Sequence, residues 1–129
     1  MSKTLVQVIE DRIKKIDSEI AIEKENLDDD YMYYFTWGKC ETLYKHSGIR
    51  RTLLNTLTFI SENPDKTVEY LEHHVKTISK NILDGHFLGT STNLYSNLSY
   101  TYDKEIGCEI VKIYQEFLYC IKNESLEIL

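Results

Sequence analysis

Apolar residues recur every three or four positions along four separate stretches of this chain, and that period constrains the fold more than any other feature. Leu5, Ile9, Ile13, Ile16, Ile20 and Leu27 draw one narrow seam, with Glu23 in the missing step and charged residues on the other faces, which is the pattern of an amphipathic helix over 4–27. A second helical pattern runs from about Tyr31 to Ser61. It carries one stripe through Met32, Phe35, Leu43, Leu53, Leu57 and Ile60, and another through Tyr33, Trp37, Tyr44 and Leu54. A helix with two apolar stripes needs two neighbours. Gly38 and Gly48 lie inside it as candidate kinks or close-contact points.

"SENPDK" ends this helix and starts the next, with Asn63 as a cap and Pro64 in the first turn. Val68, Leu71, Val75, Ile78 and Ile82 form the third stripe, closed by Asp84-Gly85. Ile106, Ile110, Ile113, Phe117 and Ile121, widened by Tyr114 and Leu118, form the fourth. Between the last two, residues 85–101 are rich in Gly, Ser, Thr and Asn, and an ordered loop is expected there. The pattern predicts one all-α domain over 1–129, a bundle of about four helices built on a long N-terminal antiparallel hairpin. A hairpin turn at Asp29-Asp30 would set Ile16 opposite Leu43.

Composition narrows the function classes. The net charge is −6 and the basic residues are scattered, so a nucleic-acid surface is disfavoured. No long apolar run is present, so neither a signal peptide nor a membrane span is expected. Cys40, Cys108 and Cys120 form no C-x-x-C pair, which fits reduced thiols in the cytoplasm. One Ala and three Arg against fourteen Ile and twelve Lys is the usage of an AT-rich genome, and points to a low-GC bacterium or a virus.

No catalytic motif is recognisable, and no cofactor is implied. Glu69 and His73 share a helix face, as metal ligands do, but that face also carries Lys76 and Lys80 and reads as solvated. Cys40 and His46 lie on different faces of one helix. Glu23, His46 and Arg50 occupy seam positions, where polar residues set pairing register. No metal is expected.

The stretch "DDDYMYYFTW", residues 28–37, sets three aspartates against five aromatic residues. Aspartates at a helix start followed by core aromatics would explain it. The aromatics nonetheless point in too many directions for all to be buried, and Tyr and Trp favour binding hot spots. The candidate partner-binding residues are therefore Asp28, Asp29, Asp30, Tyr31, Tyr34 and Trp37, facing a basic protein partner. The expected function is non-catalytic protein–protein interaction by a small acidic accessory or inhibitory protein, as a homodimer. Two alternatives remain: a nucleotide-like ligand held by aromatics of the 85–102 segment, and a helical metalloenzyme at Glu69 and His73.

Overall fold

The computed structural model describes residues 3–29, 39–84 and 94–129, with side chains from 3–25, 42–83 and 103–129. Four helices make up the described chain: α1 (Leu5–Asp29), α2 (Lys39–Glu62), α3 (Thr67–Asp84) and α4 (Leu94–Lys122). A single 3₁₀ turn, Pro64–Lys66, joins α2 to α3. The all-α bundle expected from the periodicity is the fold of the protein. None of these helices is long and apolar enough to cross a membrane.

Cross-helix contacts set the directions. Asp17 meets Arg50, and Glu23 meets His46, so α1 and α2 run in opposite senses. Glu72 meets Lys122 while Leu83 lies beside Val111, so α3 and α4 also oppose each other. By contrast, Tyr44 bonds Asp103 and Thr56 bonds Tyr114, so α2 and α4 are parallel. Parallel helices in an up-down-up-down bundle are diagonal neighbours, and here they touch. Gly48 permits the approach, because a Cβ there would stand 2.7 Å from Ile106 Cδ1. The helix passes through Gly48 without a break, and this glycine marks a close contact.

The core gathers at one end. Leu5, Ile9 and Ile13 of α1, Leu53 and Ile60 of α2, Leu71 of α3, and Ile110, Ile113, Tyr114, Phe117 and Leu118 of α4 are buried together. These are stripe residues, removed from water by the period that the sequence displays. Tyr114 and Leu118, which widen the α4 stripe, are covered within the chain by its own helices and leave no surplus there.

The same end is closed by backbone hydrogen bonds. Thr4 and Gln7 form a reciprocal capping box: the Thr4 N–H donates to Gln7 Oε1 (2.9 Å) and the Gln7 N–H to Thr4 Oγ1 (3.2 Å). The remaining free donors of the first turn, the N–H groups of Leu5 and Val6, reach the carbonyls of Glu127 and Ile128 (2.6 and 3.3 Å). The last residues of the chain thus cap the first helix, through backbone atoms that no side-chain pattern reveals. They are turned into place by a Schellman close after α4. Glu124 adopts a φ of 58°, and the N–H groups of Glu124 and Ser125 return to the carbonyls of Ile121 and Cys120.

Three local expectations change. First, residues 94–101 of the expected 85–101 loop belong to α4, and 85–93 lie outside the described residues. Leu94, Leu98 and Tyr102 are four apart, a spacing that serves a helix as well as a strand. Second, the Asn63 side chain makes no cap bond; its carbonyl instead accepts from the Lys66 N–H, because Pro64 tightens the turn into a 3₁₀ form. Third, α2 is described from Lys39, and the turn that would close an α1–α2 hairpin falls in residues 30–38, outside the described residues.

The Gly48 contact makes a testable case. Gly48→Ala gains helix propensity but collides with Ile106. In an Ile106→Val background, which removes the colliding methyl, the same change should be more favourable by about 1 kcal/mol, measured by denaturant unfolding of the four variants.

Candidate functional site

The last turns of α1 face the first turns of α2, away from the core, and here polar side chains decide the pairing. Asp17 Oδ1 and Arg50 Nε lie 2.5 Å apart. His46 stands between two carboxylates, with Nε2 3.2 Å from Glu19 Oε2 and Nδ1 3.1 Å from Glu23 Oε1. Glu23 Oε2 and His46 Nδ1 are buried without a hydrogen bond. Glu23, His46 and Arg50 thus hold the two helices in register, as polar seam residues do. The register differs from the one set by a turn at Asp29-Asp30. Ile16 shares a crevice with His46 and Ile49, while Leu43 lies across from Ile20 and Lys24. The displacement is about two helical turns, because α1 runs to Asp29 and α2 is taken up only at Lys39.

The trio Glu19–His46–Glu23 is not a metal centre. The carboxylates address opposite edges of one imidazole, so no single ion could meet all three groups. Among the described residues no three His, Cys, Asp or Glu side chains converge on a metal position. Glu69 and His73 lie exposed on α3. His46 is engaged by α1, and Cys40 falls outside the described side chains. Cys108 is exposed and Cys120 half-buried.

On one flank of the α1–α2 pair, Ile16 and Ile49 line a crevice with Glu109 and Ile113 of α4. Along the other flank, which no described residue covers, a groove of about 650 Å³ runs between Asp17, Ile20, Ala21 and Lys24 of α1 and Leu43, Ser47, Arg50, Arg51 and Leu54 of α2. Leu54 is 37% exposed and Ile22, nearby on α1, 59%. Lys24 and Arg51 form no ion pair with a described residue. The second stripe of α2 expected to need a further neighbour therefore does present apolar surface.

The acidic-aromatic corner begins where this groove ends. Asp28 and Asp29 occupy the last turn of α1; Asp30, Tyr31, Tyr34 and Trp37 lie outside the described residues. Asp28 and Asp29 consequently do not start a helix.

A second cluster, not singled out from the sequence, lies where α3 meets α2 and α4. Phe59 stacks on Tyr70 at 4.1 Å, Tyr70 contacts His74 at 4.3 Å, and the His74 ring stands edge-on to Tyr114. Tyr114 shares a 2.7 Å hydrogen bond with Thr56 Oγ1, and both are buried. Burial raises the Tyr114 hydroxyl well above the ordinary phenol range despite this bond, so it serves as a neutral structural hydrogen-bonding group. Desolvation, and then the neighbouring His73, lowers His74 below the ordinary histidine value. The four-residue spacing of Tyr70 and His74 was the only signal of this cluster in the sequence.

No protein-family model, curated protein or solved structure matches the chain.

His74 gives a pH test. Its folded-state pKa is depressed, so the unfolded chain binds the proton more readily. The stabilising effect of neutral His74 is present above about pH 6.5 and is lost as pH falls below it. The melting temperature of the parent should therefore drop more steeply between pH 7 and 5 than that of His74→Gln.

Proposed function

We propose that this chain is a non-catalytic cytoplasmic protein that acts through protein–protein contact, in the manner of a small accessory or inhibitory protein. The open flank of the α1–α2 pair carries this reading. No described residue covers its lining, in which Ile20, Ala21, Leu43 and Leu54 lie among Asp17, Lys24, Ser47, Arg50 and Arg51. Uncovered apolar surface beside charged rims is how helical proteins present a partner site. The run Asp28, Asp29 and Asp30 follows Lys24 closely in the sequence and brings negative charge suited to a basic portion of the partner.

The same proposal includes a homodimer through the other exposed apolar surface, on α3 and α4. Leu83 is 85% exposed beside Ile82 and Val111, and Tyr119, about two turns along α4 from Val111, is 70% exposed beside Val75 and Leu118. A two-fold contact would bury both. Light scattering at low micromolar concentration should give a dimer mass for the parent and a monomer mass for Leu83→Asp; a monomeric parent would reject the dimer.

The partner site is tested by changing Asp28, Asp29 and Asp30 together to Asn. Affinity for a partner isolated from the native cells should weaken, most at low salt. The melting temperature should hold or rise slightly, since negative charge leaves the last turn of α1. Unchanged affinity at every salt concentration would remove the acidic corner from the site.

A further inference from the structure

We propose that the groove between α1 and α2 receives an amphipathic helix of the partner, about three turns long, which sets carboxylates two turns apart on either side of one large apolar side chain. The inference rests on the docking reading above and specifies its occupant.

The groove's shape gives the length and the centre. Leu43 to Leu54 spans eleven positions of α2, about 16 Å of helix or three turns. Midway, the side chains are small: Ala21, the only alanine of the chain, and Ser47. Small residues let another helix approach and leave room for a bulky side chain, while Ile20, Leu43 and Leu54 supply apolar walls. A cleft between two helices is filled by the side-chain ridges of a third.

The charges give the chemistry. Arg50 is already engaged by Asp17. Lys24 and Arg51 have no ion-pair partner among the described residues, and they stand at opposite ends of the groove because α1 and α2 are antiparallel. Lys24 and Arg51 flank a mixed floor in which Asp17 is matched by Arg50, so the groove is locally basic on a chain of net charge −6. A helix with Glu or Asp seven residues apart meets both. A second copy of the same groove does not: a two-fold axis through its centre would bring Arg51 of one copy against Lys24 of the other.

The test uses two fluorescein-labelled, hydrocarbon-stapled 14-residue helices. Both carry Leu at positions i+3 and i+4; one has Glu at i and i+7, the other Lys. Binding to the full chain is read by fluorescence polarisation. The Glu peptide should bind, Ala21→Arg should abolish binding, and Arg51→Glu should weaken it about fivefold to tenfold. The double variant Lys24→Glu, Arg51→Glu should prefer the Lys peptide. All three positions are exposed, and thermal melts confirm that each variant folds. Failure of the Glu peptide to bind, or binding indifferent to Ala21→Arg, overturns the proposal. A Lys peptide that binds equally well and depends on Ala21 overturns the acidic occupant but leaves the docking reading standing. A parent dimer that Ala21→Arg dissociates makes a second copy the occupant and overturns it as well. The docking reading itself fails separately, if Ala21→Arg captures the native partner as well as the parent does.

Discussion

The contact between the parallel helices α2 and α4 is the constraint from which the rest of the arrangement follows. Gly48 lets Ile106 press against the α2 backbone, and eight residues further along each helix Thr56 and Tyr114 share a buried hydrogen bond. Once these diagonal helices touch, they divide the bundle. α1 must lie on one side of the pair and α3 on the other, each antiparallel to its neighbours. Tyr114, at the junction, is a neutral phenol whose hydroxyl is satisfied by Thr56, so the contact carries no unpaired polar cost. The aromatic stack of Phe59, Tyr70 and His74 then seals the α3 side.

That division explains why the α1 side behaves differently along its length. The first half of α1 buries Leu5, Ile9 and Ile13 against the core and is capped by the chain's own last residues. The second half touches α2 through Asp17, Glu19, Glu23, His46 and Arg50. The exposed Asp17–Arg50 pair contributes little net stability, about 0–1 kcal/mol, while His46 and Glu23 are mostly buried; together they fix alignment. The molecule thus has a packed end held by apolar burial and a polar end held by register. The open groove belongs to the polar end, where adding a third helix displaces nothing from the core.

Much of the fold was legible because its helices are amphipathic and their stripes keep a strict period. Ile9, Leu53, Leu71 and Phe117 were readable as core for that reason. The features that escaped are those with no periodic trace. The cap supplied by Glu127 and Ile128 uses backbone atoms from the opposite end of the chain. The α1–α2 register depended on where the connection falls, and placing it at Asp29-Asp30 moved Ile16 about two turns from its observed neighbours. The start of α4 at Leu94 was hidden by a spacing of four, which is even as well as helical. Of the candidate site, the polar seam residues and the surplus apolar face of α2 were readable. The groove itself was not, because Lys24 and Ala21 acquire their neighbours only through the register. The acidic run was noticed for its composition; Asp28 and Asp29 fall in the last turn of α1, and the rest of the run lies outside the described residues.

The central claim is that one end of this bundle is a packed core and the other a pair of helices held by surface charge and left open to a partner. Residue-resolved amide hydrogen exchange of the intact chain measures that difference directly. The account predicts strongest protection at Leu53–Ile60 and Gly107–Leu118, approaching that of global unfolding, and markedly faster exchange at Asp17–Lys24 and Leu43–Ser47 through local opening. Equal protection of the two ends would show a single cooperative core and contradict it.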